Sequence, residues 1–497
     1  MIAASAVRLM AVIWSKGFIH NDDHFETVVI SQDWLTSGLF GADGLLHWLN
    51  QPASDMTRFP LYALFVYAIM KLETWLGMQS LDAIMYGVRL AHALTAMLPV
   101  IFIYKAVKLV TRDDRWAVIG GLFAGLHFAA PFLGVRNLIE VVGGEIWLVA
   151  LYAFYQYAHD NKLRWLYLAG AITGLAWMIR FQIAFAALPI PLVLWYEYRN
   201  LRPAIHYSLA TAAMILLAWT ADWVFLGRFA GSSLMHFNVK ALYDTIYHTI
   251  PGLYIVVLLG LFIPPLSFVL IWLAGRPSFV RKHRLIVFST LSFVIFHWFL
   301  RNQQERFLFP MLPVFILIFT LALWDRWQAK GYILAKRGLF RGLTGFTLAF
   351  NAALLVVLVF SYGHRGLIEP VLRLSKANPT AHVLYLHPEM RGWVPVQYGP
   401  PTMNNVEIRN WQEWKEYGAN GMPADLPDYF VIHPFRTDSL TACVDSIQTR
   451  FGRVEPVFHV HPSAYDWLLH TLNPRHNPSY EGWVYRRAGA QGQALEM

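Results

Sequence analysis

Charged residues and cysteine are the scarcest parts of this sequence. Of its 497 residues, 14% are Asp, Glu, Lys or Arg, whereas 56% are apolar. The length would allow several soluble domains, but a composition so poor in charge argues against them. The one cysteine, Cys443, excludes an intramolecular disulfide framework.

The sequence also lacks an Asn-x-Ser/Thr glycosylation site with a permitted middle residue. Asn378 and Asn477 are each followed by Pro, which blocks both candidate sites. This absence favours, weakly, a bacterial inner membrane over the endoplasmic reticulum membrane.

Long apolar runs recur from the N-terminus to about residue 362. Runs of this length predict a mainly α, multi-pass integral membrane protein with about eleven transmembrane helices. The net charge of +9 is then explained by basic cytoplasmic loops, so it indicates no nucleic-acid partner. The predicted spans lie near 1–18, 84–104, 116–133, 138–158, 165–179, 183–198, 204–227, 251–274, 285–300, 305–327 and 342–362.

Basic residues set the predicted orientation. Clusters at 276–284 and 326–341 are typical of cytoplasmic loops. The N-terminus is then cytoplasmic, and the predicted outer loops are 20–83, 134–137, 180–182, 228–250 and 301–304. The apolar run 60–76 would reverse this order if it crossed the membrane. We therefore predict a helix there that lies in the outer interface or dips into the membrane.

The composition changes at the end of the last apolar run. We predict a transmembrane domain over 1–362, followed by a small mixed α/β domain over 363–497 on the periplasmic or lumenal side. In that second domain a helix is predicted over 438–451, with strands over 382–386, 429–432, 456–460 and 482–485.

The first outer loop carries an unusual stretch, His20-Asn21-Asp22-Asp23-His24-Phe25-Glu26. A carboxylate at a membrane face can act as general base toward a lipid-borne substrate. Alternatively, Asp22 and Asp23 cap the helix that follows. The local pattern alone leaves both interpretations open.

Several arginines lie within the spans or at their outer ends. Deep charges in a membrane are costly and usually face a cavity, and the planar guanidinium suits phosphate. Any single one is explained equally well by snorkelling to the interface. Taken as a set, and with Arg58 of the outer loop added, these arginines predict a binding site for an anionic lipid head group. The set consists of Arg89, Arg136, Arg180, Arg301 and Arg306.

A family resemblance joins these parts. The stretch 20–26 resembles a His-Pro-Asp-Glu-x-aromatic-Gln loop, and Arg306-Phe307-Leu308-Phe309-Pro310 resembles the end of a His-Lys-Glu-x-Arg-Phe-x-x-Pro motif. Both motifs are typical of glycosyltransferase family 22, the GT-C-fold mannosyltransferases that use a polyprenyl- or dolichyl-phosphate sugar. Within that family the chain is most similar to the GPI mannosyltransferases that add the third mannose. Weaker matches in the same order are Arg58-Phe59-Pro60, Arg89-Leu90-Ala91, Arg136-Asn137-Leu138, Asp222–Gly227, Pro456–His461 and Trp483–Arg486.

The chain departs from the family pattern at both principal motifs. Asn21 stands in place of Pro, and Asp23 in place of Glu. Asn302, Gln303 and Gln304 stand where the family has His, Lys and Glu. The cation expected near the phosphate or acceptor is therefore missing from that turn, which leaves the sugar and the acceptor open.

The resemblance implies an inverting transfer of a sugar, with mannose as the first candidate, to a glycolipid or lipid-linked glycan on the outer face. It implies Asp22 as the base and Asp23 as its support. Donor phosphate contacts are expected from Arg306 and Arg301, then Arg89, Arg136 and Arg58. Residues expected to support the acceptor site are His20, His24, Glu26, Gln304 and Glu305.

We expect no cofactor and no divalent metal. His459 and His461 alternate along one predicted strand, so they share one face and could bind a metal ion, but a structural role is favoured.

Two other interpretations of the protein's function remain. One is a GT-C transferase for a different sugar or acceptor, of the aminoarabinose or protein-mannosyl type. The other is a transporter for lipid-linked saccharides, which would require inverted repeats and broken helices at the midplane. A polytopic scaffold would leave the Asp pair and the arginines unexplained. The sequence sets no oligomeric state.

Overall fold

The computed structural model of the chain describes most of its residues. They are 1–19, 24–47, 57–246, 252–336, 338–387, 394–417, 425–434, 437–472, 474, 477–478 and 481–490.

The fold is mainly helical, and each predicted apolar segment forms one or two helices. The run 60–76, predicted to lie outside the series of spans, is also a helix. The helices up to residue 359 are Ile2–Trp14, Ile30–Ser37, Leu61–Trp75, Leu81–Thr95, Met97–Thr111, Asp114–Leu126, Ala129–Leu133, Ile139–Asp160, Arg164–Ile179, Ile183–Ala187, Ile190–Tyr198, Arg202–Leu226, Gly231–Ile246, Leu253–Leu261, Leu266–Ala274, Pro277–Lys282, Arg284–Phe299, Leu312–Lys336 and Gly338–Val359, with a π-helix over Phe25–Val29 and a 3-10 helix over Glu305–Met311.

Fewer of these helices are long enough to cross a membrane than the sequence predicted. By length and composition, four helical segments qualify among the residues described: Leu81–Thr111, Arg202–Leu226, Glu305–Ala329 and Arg341–Val359. The predicted span 251–274 is two helices, Leu253–Leu261 and Leu266–Ala274, bent by 109°. Counting the bent pair as one span gives five, so the count of eleven is not confirmed.

The chain divides into two compact units, each discontinuous in sequence. The first contains Met1–Leu9, Glu26–Ile69 and Arg89–Val356. It holds most of the apolar helices, and Glu305–Ala329 is its most deeply buried candidate span. The second contains Met10–Phe25, Met70–Val88 and Val357–Met497.

The second unit is built on a five-stranded sheet. The strands are β1 (His382–Leu386), β2 (Asn404–Ile408), β3 (Tyr429–Ile432), β4 (Val454–Val460) and β5 (Gly482–Arg487), in the order β2-β1-β3-β5-β4. β1 is parallel to β2 and β3, whereas β5 is antiparallel to β3 and β4. The four strands predicted from the sequence are present, and the predicted helix 438–451 is Thr437–Phe451.

Several elements of this unit were not predicted from the sequence. β2 begins with Asn404 and Asn405, which are poor strand formers, and it forms by pairing with β1. The helix Arg365–Ala377 contains Pro370 but turns an apolar face inward. Two short α-helices, Trp411–Tyr417 and Ala464–Leu472, and a 3-10 turn over Val396–Tyr398 complete the unit. The free Cys443 is buried in the core of this sheet.

Candidate functional site

The predicted base and its nearest neighbours fall outside the described residues. These residues are His20, Asn21, Asp22 and Asp23. The residues that flank them, up to 19 and from 24 onward, are described.

Four aromatic rings from the second unit form a stack beside this loop. The Phe18 ring lies between two imidazoles, with centroids 4.7 Å from His24 and 4.4 Å from His364. Tyr398 stacks on the far side of His24 at 5.9 Å. All four side chains are buried. The residues on either side of 19–23 are therefore held with their rings in contact.

Backbone pairing fixes the same region. Gly17 forms a bridge with Gly363, and the Gly363 N–H donates to the Lys16 carbonyl at 2.9 Å. Gly17 has a φ of +76°, and a Cβ there would lie 1.8 Å from the Gly363 carbonyl oxygen. Only glycine allows this approach. The chain that enters the loop is thus attached to the start of the C-terminal segment.

The buried carboxylate of Asp466 completes this attachment. It accepts hydrogen bonds from the backbone N–H groups of His364 and Arg365, at 3.0 and 3.2 Å. The Nδ1 of His364 lies 2.8 Å from the Phe18 carbonyl oxygen. Burial, and then the nearby His364, lower the pKa of His24 to about 3. His24 is consequently neutral near pH 7, so it supports the loop through ring contact rather than charge.

The segment after the loop is a π-helix, Phe25–Val29, and its residues from Glu26 onward belong to the first unit. π-helical turns are rare and frequently occur at functional sites. Glu26 pairs with Arg58, with 2.7 Å between Oε2 and Nε. Thr27 Oγ1 accepts a hydrogen bond from Asn137 Nδ2. The motifs at 20–26 and 58–60 therefore contact one another, and Thr27, the residue that follows the first of them, contacts the motif at 136–138.

A buried ion cluster in the same unit gathers charges from separate turns. Glu140 is fully buried on the first turn of Ile139–Asp160. Its Oε1 lies 3.0 Å from an Nη of Arg180 and 3.8 Å from Nε of Arg306. Both guanidiniums also lie over the Phe307 ring, at 5.3 and 5.6 Å. The cluster thus joins residues from, or next to, three of the predicted outer turns.

Two glycines allow this cluster to form. A Cβ on Gly144 would lie 2.3 Å from the Pro310 carbonyl oxygen, and one on Gly143 would lie 2.9 Å from Cβ of Arg180. The helix Ile139–Asp160 can therefore approach both arginine-bearing segments closely enough for the contacts with Glu140. Small residues at such crossings are typical of membrane helices.

The other predicted arginines have different environments. Arg89 and Arg136 are buried, and the Arg136 guanidinium lies 4.6 Å over the Phe132 ring. Arg301 and Glu305 are exposed. Gln304 is partly buried and donates to Asn302 at 3.2 Å. The turn thus sends Arg306, but not Arg301, into the ion cluster.

Glu140 is the main residue that the sequence analysis missed. The signal was available, because a carboxylate three residues before a Gly-Gly pair in an apolar run is as unusual as the arginines. Asp222, part of a weaker motif, has a structural role instead. Its Oδ2 accepts from the backbone N–H and the hydroxyl of Ser232, at 3.0 and 2.7 Å, which caps Gly231–Ile246.

Within the described part of the chain, no group of three or more His, Cys, Asp or Glu residues could hold a metal ion. His459 stacks on Trp483 with 3.7 Å between ring centroids, and its Nε2 lies 3.5 Å from the Glu481 carboxylate. These contacts give His459 a packing role in the sheet.

Sequence comparisons point to mannosyltransferases. Residues 62–223 match the family described as dolichyl-phosphate-mannose-protein mannosyltransferase. Human GPI alpha-1,2-mannosyltransferase 3 is 23% identical over 295 residues, which are 56% of this chain and 49% of the human protein. The match therefore spans about half the length of that relative.

Structural comparisons extend over nearly the whole chain. ArnT from Cupriavidus metallidurans in the apo state superposes with a TM-score of 0.61 at 14% identity, covering 99% of this chain and 98% of ArnT. ArnT bound to undecaprenyl phosphate gives 0.59 at 13% identity with the same coverage. An Archaeoglobus fulgidus oligosaccharyltransferase gives 0.50 at 12% identity, over 87% of this chain and 67% of that one. The chain therefore has the fold of these GT-C glycosyltransferases, and its sequence is similar to mannosyltransferases, in agreement with the GT-C mannosyltransferase-like resemblance of its motifs.

Proposed function

We propose that this protein is an inverting glycosyltransferase that moves a sugar from a polyprenyl- or dolichyl-phosphate donor to a glycolipid or lipid-linked glycan. Mannose is the first candidate, because both sequence matches are mannosyltransferases. The observation that carries the proposal is the buried cluster of Glu140, Arg180 and Arg306. Guanidiniums held deep in an apolar protein suit a phosphate carried on a lipid. The likeness to ArnT bound to undecaprenyl phosphate supports the same donor class.

In the proposed reaction, Asp22 takes the proton of an acceptor hydroxyl. The hydroxyl oxygen attacks the anomeric carbon, and the bond from that carbon to the phosphate oxygen breaks. The electron pair remains on the leaving lipid phosphate, which becomes a monoester and gains negative charge. Arg306 and Arg180 stabilise that charge in a water-poor site, where fixed cations act strongly. No metal ion or other cofactor takes part.

Asp23 supports Asp22 in this proposal. Two neighbouring carboxylates tend to raise the pKa of one of them, which suits a base that works near neutral pH. His24 positions the loop, because its ring is stacked between Phe18 and Tyr398. Glu26 and its partner Arg58 hold the other side of the loop. The roles of Arg89, Arg136, Arg301, His20, Gln304 and Glu305 remain those implied by the family resemblance.

We propose eleven spans, with the N-terminus in the cytoplasm and the C-terminal domain, 363–497, on the periplasmic or lumenal side. In this arrangement the helix Leu61–Trp75 lies at the outer interface, as its 15 residues suit. A bacterial inner membrane is the favoured location.

The donor class is tested with the purified full-length chain and labelled donors. We expect incorporation of label into lipid-extractable acceptor from polyprenyl-phosphate mannose, and none from a nucleotide-linked mannose. Incorporation from the nucleotide sugar alone would overturn the donor assignment. Donors that carry other sugars on the same lipid phosphate are tested beside polyprenyl-phosphate mannose. Transfer from one of them would correct the identity of the sugar, whereas transfer from none would contradict the mechanism.

Transfer of a different sugar is the second candidate, since ArnT is similar over the whole chain. A transporter is disfavoured by the bent pair Leu253–Leu261 and Leu266–Ala274. Broken helices in transporters bind substrates or ions at the break, whereas this pair carries no charged residue. Transport would move the labelled donor across a vesicle membrane without cleavage of the sugar phosphate bond.

A further inference from the structure

A second polar site lies in the first unit, at the ends of three helices. Ile139–Asp160 and Ile190–Tyr198 end there, and Arg284–Phe299 begins there. Between them is a cleft of about 80 Å³. Its polar lining consists of Tyr155, Tyr157, Tyr198, Glu197, Lys282, His283 and Arg284. None of these residues has a part in the proposed transfer reaction.

The cleft offers cations and amide donors together. Lys282 and Arg284 are its cationic side chains, because burial lowers the pKa of His283 to about 4 and leaves that ring neutral. The Arg284 guanidinium is held 4.9 Å over the Tyr196 ring. The first-turn N–H groups of Arg284–Phe299 have no partner within the helix, and the residue before it provides no side-chain cap. A helix start with these properties attracts anions.

Two acidic residues moderate this charge. Glu197 lines the cleft, and Asp325 pairs with Lys282 at 2.7 Å. Arg199, whose guanidinium lies 4.6 Å over the same Tyr196 ring, adds a further cation at the end of Ile190–Tyr198. Counting Arg199, Lys282 and Arg284 against Glu197 and Asp325, three positive and two negative charges leave +1. The cleft is therefore suited to a single anionic group rather than to a highly charged ligand.

The surface of the bounding helices is apolar. Leu192 and Trp195 of Ile190–Tyr198 are 66% and 50% exposed, and Phe288 and Leu291 of Arg284–Phe299 are 43% and 46% exposed. Exposed apolar side chains at this density on membrane helices face acyl chains. Tyrosines at helix ends are typical of the membrane interface. A ligand with an anionic head and apolar tails fits these surroundings, whereas free phosphate would contact only the polar cleft and not the apolar surface around it.

We propose that this cleft binds the phosphate head group of an anionic phospholipid, with Arg284, Lys282 and the start of Arg284–Phe299 as the phosphate contacts. Basic pockets between transmembrane helices on the cytoplasmic side are suited to such lipids. The cleft adjoins the predicted cytoplasmic loop 276–284, which carries four Lys and Arg residues within nine positions. The proposal does not depend on Asp22 or on the identity of the transferred sugar.

The test measures the thermal unfolding of the full-length chain in detergent with and without added lipid. Intrinsic tryptophan fluorescence reports the unfolding temperature. We expect phosphatidylglycerol to raise the unfolding temperature saturably, and phosphatidylcholine and inorganic phosphate to raise it far less. Equal shifts with phosphatidylcholine would overturn the proposal. An equal shift with inorganic phosphate would also overturn it, because the site would then be a simple anion site.

Three variants locate the effect. Arg284→Gln is expected to weaken phosphatidylglycerol binding at least tenfold. Arg281→Gln removes the same charge from the same loop but from a residue that does not line the cleft, and should leave binding within twofold. Ala158→Trp fills the cleft from an exposed lining residue without removing charge, and should also abolish the shift. Unchanged binding by Ala158→Trp, or equal losses for Arg281→Gln and Arg284→Gln, would contradict the site. Size-exclusion profiles show whether each variant is folded.

Discussion

Two regions of this molecule bury ionisable side chains and treat them in opposite ways. Around Glu140, two guanidiniums meet one carboxylate, so charges are kept and paired. Around Phe18, two imidazoles stack on one ring, and the pKa of His24 falls to about 3, so charge is removed. Arginine cannot lose its proton at ordinary pH, whereas histidine does so readily. The first region is therefore suited to bind an anion, and the second to hold a loop.

Breaking the charged region should have the largest effect on stability. Glu140→Gln removes the buried carboxylate that both arginines contact. Loss of one partner from a buried ion pair typically costs about 3–5 kcal/mol. We expect a fall of that order in the unfolding free energy, measured by thermal or chemical unfolding in detergent. Glu305→Gln is the control, because Glu305 is exposed. Equal stability of the two variants would show that Glu140 does not hold the cluster.

The same region should also contribute to catalysis. Arg306→Gln is expected to lower kcat/KM for the lipid-phosphate sugar by about 10²–10³, the usual effect of removing one group that stabilises transition-state charge. Arg301→Gln should lower it by less than about tenfold, since Arg301 is exposed outside the cluster. Steady-state kinetics of both variants decide this. A larger loss for Arg301→Gln would reverse the assignment.

The uncharged region should respond to pH. The pKa of His24 is lowered to about 3, chiefly by burial, and so is the pKa of His433, a buried residue that directly follows β3 and is not part of the stack around Phe18. Their folded-state pKa values lie below the unfolded value near 6.5. Stability is therefore fully present above pH 6.5, and it falls as the pH drops from 6.5 toward 3, because the unfolded chain alone takes up protons. The expected loss is about 1.4 kcal/mol per pH unit for each histidine.

Unfolding measured from pH 7.5 to 5 tests this slope. His24→Phe keeps an aromatic ring in the stack and removes the titrating group, so its stability should fall less steeply with acid. His159→Phe, the same change at an exposed histidine, is the matched control. An unchanged slope in His24→Phe would mean that this histidine is not buried in its neutral form.

The smallest effect is expected at the pair of Arg58 and Glu26. Their side chains are 20% and 40% exposed, and solvent screens pairs of this kind. Arg58→Gln should change the unfolding free energy by less than about 1 kcal/mol. The transfer activity of Arg58→Gln shows whether the pair positions the loop or stabilises the fold. A loss of activity at normal stability indicates that the pair positions the loop. Loss of both together would make the pair a structural element of the fold.

The sequence predicted the helices and most of the sheet because the length of an apolar run and the spacing of its apolar residues directly indicate which segments are buried. β1 and β3 coincide with their predicted bounds. β2 was missed because its two asparagines disfavour a strand in isolation, and pairing with β1 overrides that preference. The bend of 109° between Leu253–Leu261 and Leu266–Ala274 was missed because hydropathy averages over the break.

The site was predicted unevenly for a similar reason. Motifs identified Arg306 and Arg58, which the structure places in contact with Glu140 and Glu26. Glu140 was missed because it lies in an apolar run with no matched motif. The role of Gly143 and Gly144 depends on what approaches them in space, and no spacing rule contains that information. His24 was predicted from its place in the loop, but its neutral, stacked state follows from tertiary burial.

The central claim is tested most directly by Asp22→Asn. Membranes or purified protein carrying this variant would be given labelled polyprenyl-phosphate sugar and total lipid acceptor, beside wild type and Asp23→Asn. The account predicts that Asp22→Asn abolishes transfer while expression, membrane insertion and unfolding temperature stay at wild-type values, and that Asp23→Asn keeps a reduced rate. Transfer at the wild-type rate by a well-folded Asp22→Asn protein would contradict the account.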